Sequence, residues 1–191
     1  IQRLSYVGEL GFEIYIDKAN AKEVYQLIVK EGKNHSLSHC GSHAMDTMRM
    51  ESGFLHWGHD ISPEENQYEA KLNFAISYKK ETNFIGRESL LKIKEKKQNR
   101  RFIMLSLIDS KPGKPLLLHE EPIYLNNTII GRTTSGNYSF NYKKNLSFGY
   151  VESEHTNEEM GKMDLYIEVA KQKYPVIVEL NPLKSKHARY L

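Results

Sequence analysis

Cys40 is the only cysteine in 191 residues, so no intrachain disulfide can form and a reducing compartment is the simpler setting. Long apolar runs are missing too. Nothing approaches the ~20 residues a membrane-spanning helix needs, and no signal-peptide or Arg-rich transit pattern is read. The expected location is the cytoplasm, or the mitochondrial matrix in a eukaryote, with no membrane as partner. An excess of one charge sign is also absent: 27 basic residues face 24 acidic ones, for a net charge of +3. Basic residues cluster only at Lys92–Arg101 and Lys184–Arg189. The first cluster follows helical spacing and reads as a solvated face, so no nucleic-acid partner is expected. His35, His39, Cys40 and His43 have no CxxC or HExxH frame, which argues against a metal site. Gly131 to Gly136 lacks the GxxxxGK[ST] pattern of a phosphate loop; Thr133, Thr134 and Ser135 are read there as a strand ending at a tight turn.

The chain is 39% hydrophobic, enough for one large core or two small ones. It opens on Ile1-Gln2-Arg3 without an initiator Met, and the expectation is a piece of a longer protein. Phe12, Ile14 and Ile16 alternate with polar residues and predict a strand. Asn20 and Glu23 have capping-box spacing before a helix whose apolar stripe is Val24, Leu27 and Ile28, stopping at Gly32. A second helix is expected from Ser42, placed as its cap, to a stop at Gly53, with Met45, Met48 and Met50 as core filling. It delivers Arg49 and Glu51 to an aromatic, glycine-broken loop containing Phe54, His56, Trp57, Gly58, His59 and Asp60. Leu72, Phe74 and Ile76 predict another strand within Tyr68–Tyr78, and a short helix is expected over Arg87–Lys96.

Near Gln98-Asn99-Arg100 the pattern changes to short β-runs: Phe102–Leu107, Pro122–Leu125, Thr128–Thr134, Leu146–Val151, Leu165–Ala170 and Tyr174–Leu180. Asn126-Asn127 and Lys171-Gln172-Lys173 suit hairpin turns. The spacing predicts a small antiparallel barrel or sandwich after a boundary near residue 97. The expected class is α+β.

Five blocks, in order, resemble one family: YVGELGFEIY (Tyr6–Tyr15), AMDTMRMESGF (Ala44–Phe54), the YEAKLNF run (Tyr68–Phe74), NFIGRESL (Asn83–Leu90) and GRTTSGNYSFNYKKNLSFGYV (Gly131–Val151). The family is that of the tetrahydrofolate-dependent aminomethyltransferases, the glycine cleavage T-proteins. HWGHDI and the tail PVIVELNPLKSKHARYL resemble most the C-terminal end of dimethylglycine and sarcosine dehydrogenases, in which a T-protein-like half follows an FAD-dependent half. The resemblance implies that residues 1–97 are the later part of a folate-binding domain and residues 98–191 a C-terminal β-barrel domain. It places the acidic residue that assists one-carbon transfer, and the flavin domain, ahead of Ile1. This piece is therefore not expected to catalyse alone, and no catalytic residue is assigned within it.

From the residues alone, Glu9 reads as a solvated turn residue. The resemblance makes it the glutamate that accepts the N–H donors of a pterin, with Tyr6, Val7 and Gly8 beside the ring. Arg49 matches the family's LRLE-type motif, here Met48-Arg49-Met50-Glu51. It holds a folate carboxylate, an internal acid such as Glu9, Asp46 or Glu51, or both. Phe74 stands where the dehydrogenases carry a tyrosine near folate, and its plain alternative is a core aromatic. Trp57 lines the pocket or faces the missing N-terminal half, which is the expected protein partner. Leu4, Phe12 and Trp57 are expected to be exposed in such a piece and to favour self-association. The functional expectation is the folate-binding half of a dimethylglycine/sarcosine dehydrogenase-type enzyme. The alternatives are a stand-alone aminomethyltransferase or a non-catalytic folate-binding module.

Overall fold

The computed structural model describes residues 1–98, 100–152 and 154–184. Its backbone packs as two compact units, one of Ile1–Phe54 with the segment from Lys184, the other of Leu55–Leu183. The basic cluster Lys184–Arg189 lies outside the described residues apart from Lys184.

In the first unit, helix α1 spans Ala21–Gly32 and helix α2 spans Ser42–Glu51. The N-cap of α1 is Asn20, whose side chain makes no capping bond, so the expected box with Glu23 does not form. Gly41 rather than Ser42 is the N-cap of α2. The stop at Gly53 does form, and its geometry explains it. Gly53 adopts φ 72°, its N–H donates to the Met50 carbonyl, and the Phe54 N–H donates to that of Arg49. This pair of bonds closes the last turn and needs a residue at ease with left-handed φ.

The strand expected around Phe12–Ile16 is a single bridge between Gln2 and Glu13. Phe12 and Ile14 are exposed, as are Leu4 and, on α1, Leu27 and Ile28. Alternation alone makes no strand when a neighbour to complete the ladder is missing. Met50 is fully buried as expected, whereas Met45 is exposed.

In the second unit, Tyr68–Tyr78 is not a strand either. Its centre is one 3₁₀ turn, Asn73–Ala75, preceded by Lys71 at φ 56°. Helix α3 covers Arg87–Lys94. Then come strands β1 (Arg100–Leu107), β2 (Pro122–Leu125), β3 (Thr128–Ser139) and β4 (Lys144–Glu152), helix α4 (Asn157–Met160), β5 (Leu165–Val169) and β6 (Gln172–Val178). The strands close into an antiparallel barrel in the order β1-β4-β3-β2-β5-β6, with β1 also paired to β6. The choice left open between barrel and sandwich is settled.

Two tight hairpins set the register. Leu125 opposes Thr128 across Asn126 at φ 55°, and Val169 opposes Gln172 across Ala170 and Lys171 at φ 51° and 64°. The second turn lies one residue earlier than Lys171-Gln172-Lys173 suggested. Thr133 to Ser135 is not a strand end. The ladder with β4 slips there and continues to Ser139, a bulge that bends β3 without stopping it.

Ile103, Leu105, Ile123, Val151, Leu165, Ile167 and Val178 fill the barrel. Both faces of β1 and β4 are buried. Phe102 sits opposite Tyr150 and Met104 opposite Phe148, and the Phe102 and Phe148 rings meet edge-on at 5.1 Å. Gly149 is required by space rather than conformation: a Cβ there would come within 2.5 Å of the Arg132 carbonyl oxygen.

Two acids fasten the loops of this unit. Asp60, 1% exposed, accepts from the His56 N–H (2.9 Å), the Thr134 hydroxyl (2.5 Å) and the Ser135 hydroxyl (2.8 Å) at the β3 bulge. Glu65 accepts from Arg100 at 2.7 Å and from the Ser62 N–H and hydroxyl. Burial pushes the Glu65 carboxyl up, but the bonds from the Ser62 hydroxyl, Arg100 and the Ser62 N–H outweigh it and hold the group below the ordinary value of 4.5. A depressed folded value means stability that is present above 4.5 and lost as pH falls through the folded value. Thermal melts of Glu65→Gln and wild type at stepped pH should therefore differ at pH 7 and converge in acid. A gap that stays constant between pH 7 and pH 3 would show that ionisation of Glu65 is not involved.

Candidate folate-contact site

The first unit gathers the turn Ser5–Glu9 and the end of α2. Gly8 is at φ 68°, a conformation natural to glycine, and lets the backbone fold back sharply. The Ser5 hydroxyl oxygen accepts from the N–H groups of Val7 and Glu9, each at 3.3 Å. The Ser52 hydroxyl, at the C-cap of α2, donates to the Val7 carbonyl at 3.0 Å. Gly8 is buried, and Tyr6, Val7 and Glu9 are half-buried. Four of the predicted contact residues thus form one turn, held by two serines that sequence reasoning did not single out.

Glu9 and Arg49 take different partners. The Arg49 side chain, 1% exposed, donates from Nε to Asp46 Oδ1 at 2.7 Å and from a terminal nitrogen to the Phe54 carbonyl at 3.1 Å. Asp46 is thus an internal acid on Arg49. Glu9 instead pairs through Oε1 with the Lys184 ammonium. The cation on Glu9 is Lys184. The Lys184 N–H also donates to the Glu51 carbonyl at 2.9 Å, satisfying one of the open carbonyls at the end of α2. Lys184 is 175 residues from Glu9 in the chain, and no local pattern points to it.

Trp57 and Phe74 belong to the second unit. Trp57, 65% exposed, lies on the loop anchored by Asp60 and bridges to Ile61. Phe74 is 82% exposed on the 3₁₀ turn, so the core-aromatic alternative does not hold. Near the barrel, burial keeps the Tyr150 hydroxyl protonated far above its ordinary range, with Glu65 adding to the effect and Arg100 opposing it. No group of three or more His, Cys, Asp or Glu side chains among the described residues is arranged to hold a metal ion.

A helical unit whose polar turn carries a half-exposed carboxylate and a closed six-stranded barrel together make an α+β architecture. Residues 1–80 match the GCVT N-terminal domain, and residues 100–183 match the glycine cleavage T-protein C-terminal barrel domain. The chain belongs to the glycine cleavage T-protein family. Human mitochondrial dimethylglycine dehydrogenase is 33% identical over 183 residues, covering 95% of this chain and 20% of that protein. An aminomethyltransferase of Symbiobacterium thermophilum is 34% identical over 156 residues, covering 82% of this chain and 40% of that protein. The crystal structure of the glycine cleavage system aminomethyltransferase T from Bartonella henselae shares the fold. Its TM-score is 0.81 at 23% identity, over 95% of this chain and 48% of that one. The chain therefore spans about a fifth of the length of the dehydrogenase and two fifths of that of the aminomethyltransferase.

Proposed function

We propose that this chain contributes part of the tetrahydrofolate site of a folate-dependent one-carbon transfer enzyme of the dimethylglycine/sarcosine dehydrogenase type. Residues 1–97 would be the later part of the folate-binding domain and 98–191 its barrel domain. Glu9 carries the reading. Its side chain is 44% exposed, its Oε1 is held by Lys184, and Oε2 accepts no bond from the described residues. An acceptor so placed on a glycine turn suits the adjacent N–H donors of a pterin, with Tyr6, Val7 and Gly8 alongside. Tetrahydrofolate, when bound, supplies the nitrogens that take up the one-carbon unit. The residues of this turn hold and orient it. Arg49, tied to Asp46, supports α2 from within.

The dehydrogenase assignment rests on reach. The likeness to dimethylglycine dehydrogenase runs over 183 residues, against 156 for the aminomethyltransferase. FAD chemistry on a methylated amine would then belong to the rest of such an enzyme, in the mitochondrial matrix or its bacterial counterpart compartment. No helix among the described residues is long and apolar enough to cross a membrane.

Anaerobic calorimetric titration of the chain with tetrahydrofolate tests the proposal. The expected result is saturable 1:1 binding. An absence of heat at millimolar tetrahydrofolate would overturn it.

A further inference from the structure

We propose that Lys184 is a positioning residue of the folate site, acting on the ligand through Glu9; the inference rests on the reading just given. The Lys184 side chain is only 8% exposed, whereas that of its partner Glu9 is 44% exposed. An ammonium is costly to bury without a partner, and the partner here is the carboxylate assigned to the ligand. The lysine is fixed at both ends: its N–H donates to the Glu51 carbonyl at the end of α2, and its Nζ donates to Glu9 Oε1. The backbone of Glu9 is fixed as well, by the Ser5 hydroxyl. What stays undetermined without Lys184 is the rotation of the carboxylate itself.

With Oε1 engaged, the carboxylate plane is set and Oε2 becomes the oxygen presented to a ligand. Each carboxylate oxygen has two acceptor positions. Paired N–H donors can therefore meet Oε2 and the remaining position on Oε1 while the lysine stays bound. The arrangement selects for a planar ligand with two adjacent donors, because the carboxylate no longer turns to follow a single donor elsewhere.

A double-mutant cycle on tetrahydrofolate affinity tests this, using wild type, Lys184→Met, Glu9→Gln and the double variant, with Lys184→Arg as the conservative replacement. If Lys184 acts through Glu9, Lys184→Met weakens binding roughly 10-fold in the wild-type background but less than about 2-fold beside Glu9→Gln, the non-additivity expected of a coupled pair. Lys184→Arg keeps the charge and should stay within about 3-fold of wild type. Equal losses for Lys184→Met in both backgrounds would make the lysine a prop for α2 and overturn the inference. So would unchanged affinity in Lys184→Met. If Lys184→Met does not fold, the Arg variant decides, since a loss of binding in it at unchanged melting temperature contradicts the proposal. Failure of the wild-type chain to bind removes the folate reading itself; binding by wild type with an additive cycle removes only the role of Lys184.

Discussion

Replacing Phe148 by alanine is expected to lower the melting midpoint by roughly 6–20 °C, the equivalent of about 3–5 kcal/mol in a chain of this size. Phe148 is fully buried on β4. Its ring packs edge-on against Phe102 at 5.1 Å, and Phe102 in turn lies 5.9 Å from the Tyr150 ring. Truncation removes a large apolar volume and leaves a hole that the surrounding ladder cannot close. Phe148 is flanked in sequence by Ser147 and Gly149, and a Cβ at Gly149 would already meet the β3 backbone. Ile177→Ala serves as the comparison, because that side chain on β6 is 47% exposed and should cost under about 1 kcal/mol. Circular dichroism melts on both variants decide the matter: equal, small shifts would show that the second face of the barrel wall is not a packed layer.

For Glu9→Gln the expected loss is in tetrahydrofolate affinity, roughly 5- to 150-fold, corresponding to about 1–3 kcal/mol for a buried donor left unsatisfied. The amide keeps the shape but turns one acceptor into a donor, so an N–H of the ligand faces an N–H of the protein. In a dehydrogenase carrying this sequence, flavin reduction by the amine should be nearly unaltered, since that step takes place elsewhere. Affinity and anaerobic flavin reduction measured on the same variant separate the outcomes. Unchanged affinity, or a parallel fall in flavin reduction, would make Glu9 a structural residue.

The barrel was readable because each of its strands carries its own evidence. β1 carries a nearly continuous apolar run, Phe102–Leu107, Asn126 sits where a left-handed φ is needed, and short β-rich runs recur between turn residues. The apparent strands at Phe12–Ile16 and Leu72–Ile76 alternate but find no neighbour among the described residues that completes a ladder, which is a property of the surroundings and not of the segment. Capping shows the same divide. Asn20 and Glu23 have the right spacing and do not close a box, whereas Thr156 and Glu159 do close one at α4, which the reading of strands had passed over. At the site, motif and turn pointed to Glu9, and glycine stops pointed to the end of α2. The ion pair with Lys184 depends on a residue 175 positions away, and no periodicity spans such a distance.

Closure of the barrel through β1 and β6 ties the fold to the direction of synthesis. Leu105 on β1 pairs with Val178, so one edge of the first strand made waits for the last. Until β6 leaves the ribosome, β1 and β5 each keep an open edge rich in buried-type residues, the kind of edge that recruits a strand from another chain. Lys184 follows Val178 by only six positions, so the cation that holds Glu9 arrives almost as soon as the barrel can close. Whatever the ligand, the half-exposed carboxylate of the first turn has to wait for nearly all of the chain before it is set in place.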